Sequence, residues 1–343
     1  MSIKIFFSLV LLFTVLITDT GHAQNIFTIH YPPDKIIKEY GLLGVSFSVK
    51  EGTADKVIIK VNNEPFKKLD EIKNINDFSI NLEPGTNTIE FLALKDDALV
   101  ESVSRFVFLR SDLIGAYKQW PPDYRKDNFH SRKQELCAEC HTMDPAEADR
   151  KPVIIASQSS DHSLEKHNEK QSTCYSCHKG ILSYAYVHGP ASVWSCLSCH
   201  DEKSSPRYRI EKPETVICFK CHLDKQKLWM NKKHKHGPVT LGKCTICHSP
   251  HSARYPFNLY KRTWDLCVNC HYELGSGRHV LGDSLSQRGH PTKDKEDPIR
   301  IGRELTCASC HDPHASDFPH MFAYEVDNLF DLCQKCHQKK MDQ

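Results

Sequence analysis

A pentapeptide of the form Cys-x-x-Cys-His occurs eight times in this 343-residue chain and restricts its fold more than any other feature. The repeats account for all 16 cysteines. Two thiols three residues apart share one face of a helical turn, and the histidine that follows lies beside the first thiol. This spacing is the attachment sequence of c-type haem, in which two thioethers hold the porphyrin and the histidine binds the iron. The sequence therefore predicts eight covalently bound haem c groups.

The repeats supply one set of residues for covalent attachment and another for iron ligation. The predicted thioether cysteines are Cys137, Cys140, Cys174, Cys177, Cys196, Cys199, Cys218, Cys221, Cys244, Cys247, Cys267, Cys270, Cys307, Cys310, Cys333 and Cys336. The predicted proximal iron ligands are His141, His178, His200, His222, His248, His271, His311 and His337. Structural zinc sites and disulfides also use closely spaced cysteines, but neither requires a histidine after every second cysteine. Haem attachment is therefore the favoured interpretation.

The second axial ligand of each iron decides between electron transfer and catalysis, because catalysis needs an open or displaceable position. Eleven histidines from position 130 onward lie outside the repeats, which exceeds the eight that the irons require. Recurrent His-Gly-Pro and His-x-Pro-His stretches, with a further His-Pro, select five of them, and three more complete the set. The predicted distal ligands are His188, His236, His251, His290 and His314, followed by His130, His167 and His234.

Two repeats depart from this pattern. His251 and His314 lie three residues after the histidines of the fifth and seventh repeats. At the equivalent position, the first repeat has Asp144 and the third has Lys203. These two repeats are therefore expected to take a ligand from elsewhere in the chain, or to leave an iron with an open or unusual ligand.

The first 23 residues are predicted to be an export signal. Lys4 precedes an apolar run at 5–17, and small residues suitable for cleavage occupy 21–23. The run is short for a bilayer span of about 20 residues, and an uncleaved anchor is the alternative. We expect an exported protein without a transmembrane helix after cleavage, in the periplasm, at the outer membrane or outside the cell.

The remaining chain divides into two unlike parts. Residues 24–110 contain no cysteine and are predicted to form a small all-β sandwich. Turn sequences separate short β-type runs in this part, at 45–49, 56–61, 78–81, 88–94 and 100–109. Residues 111–129 are predicted to be a linker, because prolines interrupt the strand pattern. Residues 130–343 are too polar to build an apolar core and are predicted to be a mostly irregular, haem-packed domain with short α-helices.

The segment 236–271 resembles the doubled CXXCH motif of multihaem c-type cytochromes, and the segment 290–337 resembles it again. The resemblance is close over the last 100 residues and weaker over the first four repeats. It implies closely spaced, mostly bis-histidine haems that relay electrons in the periplasm or at the outer surface. It also implies redox partners such as other multihaem cytochromes and, as for some relatives, an outer-membrane porin. Separately, the stretch 82–89 resembles the turn and strand of bacterial immunoglobulin-like modules.

These features favour an electron carrier, with the β-sandwich as a spacer or docking module and with oligomers or polymers as a possible assembly. The alternative is a multihaem reductase or oxidase of a small nitrogen or sulfur compound at one open iron. No repeat replaces its proximal histidine with lysine, as some multihaem enzymes do, and so the enzyme is less favoured. A formal net charge of +2 gives no electrostatic footprint for nucleic acid.

Overall fold

The structure is a computed structural model, and it describes residues 25–131, 135–139, 141–151, 171–280 and 289–337. The predicted export signal, Cys140 and the predicted ligand His167 lie outside these ranges.

The N-terminal part is a two-layer β-sandwich, here called the β-module. Its strands are β1 Phe27–Tyr31, β2 Ile36–Lys38, β3 Leu42–Val49, β4 Lys56–Val61, β5 Glu64–Leu69, β6 Asn76–Asn81, β7 Gly85–Lys95, β8 Ala98–Leu109 and β9 Arg125–Lys126. One sheet has the order β1-β3-β6 and the other β5-β4-β7-β8-β2-β9. The two sheets enclose one apolar cluster, and this architecture confirms the predicted sandwich.

Alternation of side chains along the strands explains why these residues form two packed sheets. In β7, Ile89, Phe91 and Ala93 are fully buried while the residues between them are not. The phenylalanine rings of Phe47 and Phe91 meet edge to face in the core, with centroids 5.2 Å apart. A strand period of two places every second side chain on the inner face, where burial of apolar area stabilises the fold.

The segment between the β-module and the first repeat is more ordered than an extended linker. It contains a 3-10 turn at Gly115–Tyr117, and its last residues form β9, which pairs in parallel with β2. The chain therefore enters the first repeat from the edge of the larger sheet.

The C-terminal segment, from residue 129 to residue 337, has little regular structure. Its helices are α1 Glu135–Ala138, α2 Glu147–Arg150, α3 Tyr175–His178, α4 Gly189–Ser192, α5 Thr215–Cys218, α6 Leu223–Met230, α7 Gly237–Thr240, α8 Thr263–Val268, α9 Cys307–Cys310 and α10 Leu329–His337. Four two-residue strands complete it: β10 Tyr186–Val187, β11 His234–Lys235, β12 Ser252–Ala253 and β13 Ala315–Ser316. The predicted irregular domain with short helices is confirmed.

Single 3-10 turns connect many of these elements, at Phe129–Ser131, Lys179–Leu182, Cys196–Ser198, Cys244–Ile246, Pro256–Asn258, Tyr272–Leu274 and Pro319–Met321. Few apolar side chains are buried in the described part of this segment, among them Trp194, Phe219 and Phe322. None of the helices in the described ranges has the length and apolar character needed to cross a bilayer.

Two residues of the β-module that precede and begin β3 are among its contacts with the C-terminal segment. The ring of Tyr40 lies edge-on to the imidazole of His251, with centroids 5.0 Å apart. The side chain of Leu42 lies so close to Gly180 that a Cβ there would come within 3.2 Å of it. Glycine at this position therefore permits the close approach of the two parts.

Asn87 fixes the turn that precedes β7. Its buried side-chain amide donates to the carbonyls of Glu83 and Gly85 at 2.7 and 3.1 Å, and its oxygen accepts from the Glu83 N–H at 2.8 Å. We expect Asn87→Ala to destabilise the β-module by about 1–3 kcal/mol, because buried backbone groups lose their partners. Hydrogen exchange of β7 should accelerate in this variant, whereas the exposed neighbour variant Thr86→Ala should exchange as the wild type. Unchanged protection of β7 in Asn87→Ala would contradict this role.

Candidate haem-iron centres

Each Cys-x-x-Cys-His repeat forms one helical turn, and the repeats define sites 1 to 8 in chain order. In seven of them the histidine N–H donates to the carbonyl of the first cysteine at 2.8–3.1 Å, from His141 at site 1 to His311 at site 7. The eighth repeat ends helix α10. The sulfur atoms of the described cysteines stand for the thioether sulfurs of a haem-bound chain.

Six proximal histidines face a second imidazole across a gap of constant width. The ring centroids are 5.9 Å apart for His130–His178, 6.2 Å for His188–His222, 6.1 Å for His200–His251, 6.1 Å for His236–His271, 6.0 Å for His248–His314 and 6.3 Å for His290–His337. Imidazole nitrogens bind a metal at about 2.0–2.1 Å, so two trans ligands place their centroids about 6.4 Å apart. The gaps thus fit one iron each.

The pairing crosses from one repeat to another. A histidine that precedes an odd-numbered repeat faces the next even-numbered site: His130 precedes the first repeat and faces site 2, and His188 precedes the third and faces site 4. A histidine that follows an odd-numbered repeat faces the odd site before it, as His251 faces site 3 and His314 faces site 5. Neighbouring sites are therefore tied together by their ligands.

Two matched arrangements, which we call ligand clasps, hold four of these distal histidines. In the first, β10 pairs with β12, the N–H of His188 donates to the carbonyl of His251 at 2.8 Å, and the His188 imidazole donates to the Pro250 carbonyl. In the second, β11 pairs with β13 and His236 makes the same bonds to His314, at 2.9 Å, and to Pro313. Each clasp thus orients two ligands of different sites at once.

Three proximal imidazoles are oriented by backbone carbonyls. Nδ1 of His200, His248 and His311 donates to the carbonyl of the residue eight or nine positions later at 2.8–2.9 Å. Since a carbonyl only accepts, Nδ1 carries the proton and Nε2 keeps its lone pair for the iron. The acceptors are Tyr208, Phe257 and His320, and all three have left-handed backbone conformations, with φ between 54° and 66°.

Burial keeps the imidazoles of His130 and His251 neutral. Desolvation, followed by the nearby proximal histidine, lowers the pKa of both His130 and His251 to about 4. A neutral imidazole has a free lone pair, which is the form that binds a metal at physiological pH.

The attachment sulfurs follow one another in chain order. The first cysteines are neighbours at sites 2 and 3, at sites 4 and 5, and at sites 6 and 7. The second cysteines interact between sites 3 and 4, sites 5 and 6, and sites 7 and 8. Each sulfur would mark the edge of a bound porphyrin, so this order would place sites 2 to 8 in an unbranched series with each site next to the following one. Site 1 joins the series through Cys137 and Cys177.

Buried carboxylates lie beside two of these contacts. An oxygen of Asp149 lies within 4.8 Å of the sulfurs of Cys174 and Cys196. Sulfur and carboxylate together could hold a metal ion, but Asp149 already accepts from Ser172 Oγ, from Ala146 N and from the Thr173 N–H at 2.5, 2.8 and 3.1 Å. The Asp149 carboxylate therefore joins the two ends of the segment that precedes site 2 by hydrogen bonds.

Glu214 has the equivalent role between sites 4 and 5. Its carboxylate accepts from the Thr245 N–H at 2.6 Å, from the Thr245 hydroxyl at 2.5 Å and from the ammonium of Lys212. Burial alone would raise the pKa of Glu214, but these hydrogen bonds outweigh it and the pKa is lowered. Glu214 is therefore an ionised carboxylate beside two attachment sulfurs.

The structure places the remaining predicted residues as follows. His234 lies in the exposed strand β11, where it pairs with Ser316. His279, which is outside the predicted distal set, interacts electrostatically with His311 of site 7. The signal that could have selected it is the long interval of 40 residues between the first cysteines of the sixth and seventh repeats, Cys267 and Cys307, because this interval leaves room for a ligand outside the recurrent stretches. Lys203 is exposed, and Asp144 pairs with Arg207 at 3.0 Å.

The family described as the doubled CXXCH motif matches residues 188–227, 236–275 and 298–342. These matches indicate covalently bound haem c and support a multihaem c-type cytochrome in electron transfer. No curated protein matches the chain.

Among solved structures, the fibronectin(III)-like modules of Clostridium thermocellum CbhA are 18% identical over 24% of this chain and 94% of theirs, with a TM-score of 0.21. The sulfur carrier protein SoxY from Chlorobium limicola f thiosulfatophilum is 14% identical over 24% of this chain and 78% of its own, also with a TM-score of 0.21.

The pairing of His251 with site 3 predicts the effect of its removal. His251→Ala should leave one iron with a single protein ligand, and one haem should change from low spin to high spin in resonance Raman and electron paramagnetic resonance spectra. The matched variant His234→Ala should leave all haems low spin. A new high-spin haem in His234→Ala, or none in His251→Ala, would contradict the pairing.

The contacts of Glu214 predict a pH-dependent loss of stability. Glu214→Ala should cost about 1–3 kcal/mol near neutral pH, because Thr245 N–H loses its buried acceptor. The lowered pKa makes this stabilisation present above the usual value of 4.5 and lost as pH falls through the lower folded-state pKa. Thermal unfolding should show a gap between wild type and variant that narrows in acid. The exposed neighbour variant Glu211→Ala should show no gap, and a gap independent of pH would contradict the assignment.

Proposed function

We propose that the chain is an exported octahaem c-type cytochrome that relays electrons through eight haems, most of them with two histidine ligands. The observation that carries this proposal is the set of six imidazole pairs with centroid separations of 5.9–6.3 Å. Such a centre has both axial positions filled, which favours transfer of an electron over binding of a substrate. When bound, haem supplies a one-electron couple, and the chain supplies ligands, burial and spacing.

The serial order of the attachment sulfurs supports a relay. Electron transfer slows steeply with distance, so porphyrin edges that meet at neighbouring sulfurs favour rapid passage from one site to the next. Sites 1 and 8 are the ends of the series, and we propose that they face the redox partners. The expected partners are other multihaem cytochromes, including an outer-membrane porin–cytochrome complex. We propose a periplasmic or outer-surface location, because the signal at 1–23 implies export and c-type haem is attached outside the cytoplasm.

A reductase or oxidase of a small nitrogen or sulfur compound is the second candidate. The observation that favours it is that His141, at site 1, faces no second imidazole within the described ranges. The histidine that follows the fifth repeat faces site 3, and the one that follows the seventh faces site 5. By the same pattern, a histidine after the third repeat would face site 1, but Lys203 occupies that position. An iron with a displaceable ligand at site 1 would permit substrate binding.

The two functions differ in the spin state of the haems, and the haem count tests the octahaem proposal itself. Purified holoprotein should contain eight haems per chain by mass spectrometry and by the pyridine haemochrome assay. Electron paramagnetic resonance of the oxidised protein should show low-spin haem only. A stoichiometric high-spin signal that shifts with nitrite, hydroxylamine or a sulfur oxyanion would replace the relay with the enzyme. Fewer than eight haems would contradict the octahaem proposal.

A further inference from the structure

The two ligand clasps are alike in backbone structure but differ in the group beside the distal histidine. The first clasp ends in Ser249-Pro250-His251 and the second in Asp312-Pro313-His314. Nδ1 of His251 is buried and has no hydrogen-bond partner among the described residues. Nδ1 of His314, in contrast, lies 3.6 Å from a carboxylate oxygen of Asp312. Equivalent ligands of sites 3 and 5 therefore have different electrostatic surroundings.

The residue that differs also anchors each clasp. Oδ1 of Asp312 accepts from the N–H groups of His314 and Ala315 at 2.8 and 3.3 Å. The hydroxyl of Ser249 accepts from the His251 N–H at 3.4 Å. Both side chains thus support the turn that presents the distal ligand, but only one of them brings a negative charge to the imidazole.

The aromatic side chains beside the two ligands also differ. Trp229, at the end of helix α6, stacks on His314 with centroids 4.1 Å apart and planes 10° from parallel. His251 instead meets the ring of Tyr40 from the β-module at an interplanar angle of 83°. Burial of the Tyr40 phenol raises its pKa, and its hydroxyl bonds with Ser249. Tyr260 of the C-terminal segment also bonds with the Ser249 hydroxyl, and Nδ1 of His251 has no acceptor among the described residues.

A carboxylate beside a ligating imidazole makes the imidazole a stronger electron donor and favours ferric iron. An imidazole without an acceptor at Nδ1 is a weaker donor, and the ferrous state is favoured by comparison. We infer that Asp312 sets the iron of site 5 to a lower reduction potential than that of site 3, where Ser249 and Tyr40 leave the ligand without an acceptor. The inference rests on the proposed relay, and it adds a difference in reduction potential between two sites whose ligand clasps have the same backbone structure.

The test is a redox titration of the holoprotein followed by electron paramagnetic resonance. Asp312→Asn keeps an oxygen for the His314 N–H but removes the charge. One low-spin component should move to a higher potential, and its g-values should change because its ligand has changed. Ser249→Asp should move a different component to a lower potential, also with altered g-values. Ser249→Asp gives an independent result if Asp312→Asn binds haem poorly.

A surface charge provides the control. Asp70 is an exposed residue of the β-module that pairs with Lys68 at 2.9 Å, and Asp70→Asn should leave every component unchanged. A potential shift in Asp312→Asn without a change in g-values would mean that only distant charge acts, and it would overturn the inference. Unchanged potentials in both clasp variants would also overturn it. A stoichiometric high-spin signal in the wild type that shifts with nitrite, hydroxylamine or a sulfur oxyanion would refute the relay itself, before any variant is compared.

Discussion

Cross-ligation between distant segments is the constraint on which the C-terminal segment depends. An imidazole that precedes one repeat faces the proximal histidine of another, so each iron would join two parts of the chain that lie far apart in sequence. The clasps then tie two such pairs together, because the N–H of His188 donates to the carbonyl of His251, and the N–H of His236 to that of His314. One segment thus fixes ligands at two sites, and the sites are held in series.

This organisation explains how a polar segment with few buried apolar side chains can have a defined structure. The β-module has an ordinary core of alternating strands, whereas the C-terminal segment uses short turns, buried carboxylates such as Asp149 and Glu214, and imidazole pairs around the space for haem. Metal binding and folding are coupled when the ligands come from separate segments. The contact of Tyr40 with His251 makes the β-module part of the surroundings of site 3.

The features that could be predicted from the sequence are the local ones. The repeat spacing predicted the helical turns at all eight sites, and strand alternation predicted five of the strands; the exposed, polar edge strand β5 has no such pattern. Six predicted distal histidines meet a proximal partner, but which partner they meet depends on chain crossing that spacing does not encode. His279 shows the same limit, because its nearness to His311 arises from a fold that returns between repeats.

The most direct test of cross-ligation is a crystal structure of the holoprotein with iron positions located from anomalous scattering. We predict eight irons in an unbranched series that follows the order of the repeats. We also predict that the iron bound by His222 takes its second ligand from His188, and the iron bound by His200 takes His251. A structure in which His188 ligates the iron of the third repeat, which directly follows it in sequence, would contradict cross-ligation.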